Sequence, residues 1–146
     1  MACNCNVKNT HYKSAQLAYN NAAQAFVAAG TPVSILGTLA TDTGCAISTQ
    51  AGGFRIDARG LYRISYDVTY TATAAGVGIV QLYNGATALP CVIAQDTATA
   101  GGVITAHVET VIGLSSCPSV TPVISARISG VAGTVNHVCA SAVKLA

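Results

Sequence analysis

Residues 61–71 read LYRISYDVTYT. Tyr62, Ile64, Tyr66, Val68 and Tyr70 fall on one parity, and Arg63, Ser65, Asp67 and Thr69 on the other. Successive side chains of a strand point to opposite faces, so this alternation predicts a half-buried β-strand rather than a helix. Further on, Val77–Tyr83 reads as a second strand. It ends at Asn84-Gly85, a dipeptide that favours positive φ at both centres of a type I′ hairpin turn. The chain resumes in ATALPCVIA, where Pro90 marks an edge strand or a bulge. Ile104–Leu114 alternates again, with Ile104, Ala106, Val108, Thr110 and Ile112 set against Thr105, His107 and Glu109. Val123–Ile128 and Thr134–Leu145 complete the longer strands; Val33–Leu36, Ala46–Thr49 and Phe54–Ala58 are shorter candidates. NAAQAFVAAG, at 21–30, is too short and too uncharged for a surface helix, runs into Gly30 and Pro32, and is expected to be extended. Short strands with Gly, Pro, Ser and Asn between them predict an all-β antiparallel sandwich or jelly roll.

Composition narrows what such a domain can do. The 146 residues suit one domain with a real core. Hydrophobic types make up 51% and charged types 8% of the chain, against about 25% charged in an average soluble domain. The mean hydropathy of +0.51 does not come from a membrane span, because Ser, Thr, Asn and Gln interrupt every apolar run before the roughly 18–20 residues a spanning helix needs. Disorder requires low hydrophobicity and high charge, the opposite of this chain. A formal charge of +2 without a basic run offers no footprint for nucleic acid. A small monomer so poor in charge is poorly soluble, so much of its surface is expected to be covered by copies of itself or by a larger assembly.

The first 20 residues, MACNCNVKNTHYKSAQLAYN, are polar and carry no charged n-region followed by an apolar stretch, so no secretion signal is visible. They read as an arm, and residues 21–146 as the folded domain. Six cysteines are present. Cys45, Cys91, Cys117 and Cys139 read mainly as small buried hydrophobes, with disulfides formed after release as the competing reading. Zinc is disfavoured, because Cys3-x-Cys5 is tighter than a metal knuckle and no second pair has ligand spacing. Cys3, Cys5 and His11 lie in the arm and are the candidates for anchoring or cross-linking.

Catalytic chemistry finds little support. No two carboxylates share a strand face in the manner of a general acid/base pair. There is no nucleophile elbow, phosphate-binding glycine loop or calcium loop. His107 and Glu109 share a strand face and read as a polar outer-face or subunit-contact pair. Arg63 and Asp67 are too far apart along an extended strand to meet, so each is expected to find a cross-strand partner. His137 is expected half-buried on the face of Val135, Cys139 and Val143. The tyrosine stripe reads as core or as an axial subunit contact. No enzyme activity and no cofactor are expected.

GLYRISYDVTYT at 60–71 followed by VQLYNGATALPC at 80–91 resembles the central strands of the tumour-necrosis-factor/complement-like jelly rolls of bacteria and phages. The wider plan resembles small phage head decoration, or head-fibre, proteins, related to the tip domain of the collagen-like glycoprotein of spore surfaces. That plan runs AQAFVAAGTPVSI, GCAIS, the two central strands and a late GTVNHVCASAVKL. The resemblance spans residues 22–146; the collagen stalk of the spore proteins is absent. It implies a jelly roll of about eight to ten strands forming a homotrimer, with Tyr62, Tyr66, Tyr70 and Val143 as trimer-contact candidates. It also implies a structural virion protein on the capsid exterior, assembled in the host cytoplasm. Its partner would be the major capsid protein or another shell component, with adhesion to host-surface glycans as an extension. The alternatives are a bacterial surface or spore-appendage subunit cross-linked through Cys3 and Cys5, and a lectin-like binding module.

Overall fold

The computed structural model describes residues 13–26, 30–114 and 122–146. Among the described residues there are eleven strands and no helix: β1 Ala15–Asn20, β2 Gln24–Phe26, β3 Thr38–Thr43, β4 Ile47–Gln50, β5 Gly53–Ile56, β6 Gly60–Ala72, β7 Gly76–Asn84, β8 Thr87–Ala98, β9 Val103–Leu114, β10 Val123–Gly130 and β11 Gly133–Lys144. They form two antiparallel sheets. The larger runs β3-β1-β11-β6-β9, with β2 also on β11; the smaller runs β4-β5-β10-β7-β8. The chain is an all-β jelly-roll sandwich, as its alternation predicts.

The strand at 60–72 is central to the larger sheet, paired to β11 on one side and β9 on the other. Its Tyr62, Ile64, Tyr66, Val68 and Tyr70 are each 0% exposed. They pack onto Phe54, Ile56, Val80, Leu82, Ile124 and Ile128 of the smaller sheet within a single hydrophobic core. Tyr66 lies edge-on to Phe54, ring centroids 5.9 Å apart, and Tyr70 edge-on to Phe26 at 5.3 Å. Two of the three phenols find acceptors: Tyr62 donates to the Ala58 carbonyl at 2.6 Å and Tyr66 to the Ile124 carbonyl at 3.0 Å. Burial pushes the Tyr62 hydroxyl up to about 12, and raises those of Tyr66 and Tyr70 as well. This placement corrects the expectation that Tyr62, Tyr66 and Tyr70 contact other subunits. A side chain sealed inside its own sandwich has no surface left for a neighbour.

Residues 15–20, read from the sequence as part of the arm, belong to the folded domain. Ala15–Asn20 is a strand inside the larger sheet, hydrogen-bonded to β11 and β3 at once. It escapes recognition because its inward side is polar. Gln16 and Asn20 are buried beside Ala18, while Leu17 and Tyr19 face outward, half-buried. The buried amides are satisfied. Gln16 donates to Asp42 and accepts from the Thr49 hydroxyl, and Asn20 donates to the Ser34 carbonyl. Burying an amide is tolerable only with such partners. Strand β3 was also unanticipated, because nearly all its side chains are exposed and no alternation results.

Three local irregularities refine the pattern. In the β7–β8 hairpin, Asn84 pairs with Thr87, so Gly85 and Ala86 are the central residues. Gly85 has φ +59° and, among the described residues, no non-glycine residue has positive φ; positive φ at the first centre alone is the sign pattern of a type II′ turn, not type I′. The β7–β8 register then slips around Leu82, placing Pro90 in a bulge of an edge strand. In β11 the pairing with β6 passes from Val135↔Tyr70 to His137↔Thr69, leaving Asn136 as an extra residue. That bulge turns Val135 inward, 2% exposed, and leaves His137, Cys139, Ser141 and Val143 facing outward together. Val135 therefore does not share the face of His137, because a bulge shifts the alternation by one residue.

Candidate assembly face

The outer side of the larger sheet gathers the polar strand residues that the sequence singled out, Arg63, Asp67, His107, Glu109 and His137, together with Val143. Ladder pairing sets them in rows across β9, β6, β11 and β1. One row is Val111, Arg63, Val143 and Ala15; the next is Glu109, Ser65, Ser141 and Leu17; the third is His107, Asp67, Cys139 and Tyr19. Leu61 and Leu145 flank the first row, and Val103 lies at the opposite end of β9. Of the exposed large hydrophobics, Leu61, Val103, Val111, Val143 and Leu145 belong to this side, with Val103 64% and Val111 54% exposed.

The polar groups of the face are paired with each other. Arg63 Nη2 lies 2.7 Å from Glu109 Oε2, and His107 Nδ1 lies 2.7 Å from Asp67 Oδ1. The Ser65 and Ser141 hydroxyls are 2.8 Å apart. Arg63 and Asp67 therefore do find cross-strand partners, and these are the two residues of the His107/Glu109 pair. The hydrogen bond from Arg63, with its positive charge, holds the Glu109 carboxyl below the usual range. A carboxylate accepts only, so Nδ1 of a neutral His107 carries the ring proton and Nε2 is left as an acceptor. His137 Nδ1 bonds the Asn21 amide oxygen. In water these pairs stabilise the monomer little, because all four charged side chains are substantially exposed. Their effect is to give each of these four side chains a hydrogen-bonded partner, with Asp67 balanced in charge only when His107 is protonated.

Val143 is the one trimer-contact candidate that stands on this surface, 37% exposed. Cys3, Cys5 and His11 lie outside the described residues, as does Cys117. Cys139 is half-buried with a free thiol, raised by burial and by Asp67. Cys91 is free and exposed, and Cys45 is exposed and disulfide-bonded. The described cysteines are thus not buried fillers: Cys139 is on an outward parity of β11, Cys91 lies in the β8 bulge and Cys45 in the bend between β3 and β4. Leu17, Tyr19, Leu61, Val103 and Val111 were not anticipated as site residues. The available signal was that Leu17 and Tyr19 alternate with Gln16 and Asn20, a pattern that presents apolar groups to whichever side the amides avoid. Among the described residues, no group of three or more His, Cys, Asp or Glu side chains could hold a metal.

No protein-family model matches the chain, and no curated protein matches it in sequence. Solved structures do match in fold. The PRD1 vertex protein P5 aligns with TM-score 0.59 at 13% identity, over 92% of this chain and 99% of its own. Murine APRIL aligns with TM-score 0.64 at 13% identity, over 91% and 99%. The globular domain of zebrafish complement 1qA protein aligns with TM-score 0.61 at 11% identity, over 92% and 98%. At such identities the likeness shows the fold alone. The chain therefore has an antiparallel jelly-roll fold, similar over nearly its whole length to these tumour-necrosis-factor-like and complement-1q-like structures.

Proposed function

We propose that the protein is a structural subunit that associates as a homotrimer through the outer face of its larger sheet and decorates the capsid of a phage. One observation carries the association: a sheet face with Leu17, Tyr19, Val111 and Val143 pointing outward has each of its ladder-row polar groups already bonded to a partner, as Arg63–Glu109 and Asp67–His107. Such a face can be covered by a second copy without leaving one of these groups unbonded, which lowers the penalty on burying them. The threefold reading is supported by the type of the fold neighbours, and the virion reading by the phage vertex protein among them. The N-terminal residues that include Cys3, Cys5 and His11 would anchor the subunit on a capsid protein, with a host-glycan contact as an extension of the role. The role is structural rather than catalytic.

Sedimentation velocity tests the association. The protein should run at three times its 14.6-kDa chain mass, and Val143→Asp should shift it to a folded monomer. A wild-type monomer at every concentration refutes the reading. Mass spectrometry of purified particles tests the location: the chain should be recovered with the major capsid protein, and its absence from particles while it is found on bacterial surfaces would favour the appendage reading.

A further inference from the structure

We infer that the assembly face is proton-linked: protonation of His107 tightens the association of copies of this chain. The inference rests on the homotrimer reading above and adds a regulation to it. The charged groups in the three ladder rows are Arg63, Asp67 and Glu109, which with a neutral His107 sum to one negative charge per copy, while exposed Lys13 stands on the same outward parity at the edge of the face, beyond Ala15. Protonated His107 brings that sum to zero. Three copies that meet through this face therefore bring together three uncompensated negative charges in the first state and none in the second. A desolvated contact magnifies the difference, because charge interactions strengthen as water leaves.

The surroundings assign the effect to His107. On β9 its same-face neighbour is Glu109, and across the ladder on β6 it meets Asp67 at 2.7 Å. Arg63 on β6 is taken up by Glu109. The other titratable groups of the face are Cys139 and His137 on β11 and Tyr19 on β1. Asp42 on β3 is bonded by buried Gln16. His137 has the amide oxygen of Asn21 against it and no carboxylate, so its protonation gains no such partner. Protonation also changes what His107 offers a neighbour, since Nε2 turns from acceptor to donor.

The sign follows from linkage. If the assembled state binds more protons than the free chain, its dissociation constant falls as pH drops through the histidine range. A dilution series by sedimentation velocity at about pH 5.5 and about pH 8 brackets the histidine range. We expect the concentration at half-dissociation to be at least about tenfold lower at the acid value. His107→Gln should abolish the difference, and His107→Arg should hold the tight value at both pH values. His137→Gln should leave the response intact. Circular dichroism confirms that each variant is folded, and the exposed position of His107, 57% by side chain, makes that the expected result. A wild-type trimer whose dissociation ignores pH, or a response that survives His107→Gln, overturns the proton linkage and leaves the trimer standing. A monomer under all conditions overturns both.

Discussion

Gly78 and Tyr70 make a sharp test of how the core is packed. A Cβ built on Gly78 would lie 1.5 Å from the Tyr70 hydroxyl oxygen, 2.7 Å from its Cζ and 2.8 Å from Ile104 Cδ1. Gly78→Ala must therefore displace the Tyr70 ring, which is 0% exposed and edge-on to Phe26. Overpacking of this kind costs about 1–3 kcal/mol, and a disturbed edge-to-face pair adds roughly 0.5–1.5 kcal/mol. The unfolded chain loses some freedom with alanine, which returns about 0.4–1 kcal/mol. The net expectation is a loss of about 2 kcal/mol, within the range of those three contributions. Tyr70→Phe behaves oppositely. The Tyr70 hydroxyl is buried with no hydrogen-bond partner, so removing it costs nothing in lost bonds and relieves a desolvated polar group. Its effect should lie between neutral and stabilising by about 1 kcal/mol. The double variant removes the atom nearest the new methyl group, and the two changes should couple favourably by about 1 kcal/mol. Urea unfolding at fixed protein concentration, followed by far-UV circular dichroism, reads all four proteins. A 2 kcal/mol loss lowers the midpoint by about 1 M when the slope is near 2 kcal/mol/M. Gly78→Ala within about 0.5 kcal/mol of wild type, or additivity across the cycle, would refute the account of this contact.

Tyr66→Phe removes the 3.0 Å bond to the Ile124 carbonyl in the middle of the core and should cost about 1–2 kcal/mol in the same urea assay. At high pH the fold should weaken: the Tyr62 hydroxyl is raised to about 12 by burial and by Asp57, while an unfolded phenol ionises near 10. Its contribution is therefore complete below about pH 10 and lost as pH rises through the folded value; thermal melts should show a steeper decline between those values for wild type than for Tyr62→Phe. Removing residues 1–20 strips β1 from between β3 and β11 and should yield insoluble or unfolded chain.

The parts of the fold legible in the sequence are those where polarity and parity agree. β6 states its two faces outright, and β9 and the later part of β11 follow the same rule. The Asn-Gly signal located the hairpin, though the pairing of Asn84 with Thr87 moved the turn by one residue. In sequence β1 reads as part of the arm because Gln16 and Asn20 occupy its buried side, held by long-range bonds to residues that no local window contains. β3 has no inward face to betray it. On β6 the alternation separated tyrosines from charges but not inside from outside. A chain expected to be covered by its own copies made either assignment reasonable, and only the position of the second sheet decided it. The requirement that Arg63 and Asp67 seek partners across the sheet was readable from their spacing; that the partners are Glu109 and His107 depended on a register that emerges from the whole ladder.

The extra residue at Asn136 bears on how this chain can change in length. Most single-residue deletions within a strand invert every side chain beyond the break and are lethal to a sandwich. Here Gly133 and Val135 point inward before the irregularity, and Val138, Ala140 and Ala142 after it. Taking out Asn136 joins these two runs into one unbroken alternation. Related chains one residue shorter at this point would thus keep both their interior and their outward row of His137, Cys139, Ser141 and Val143, making this a site where lineages can differ by an indel without refolding the sheet.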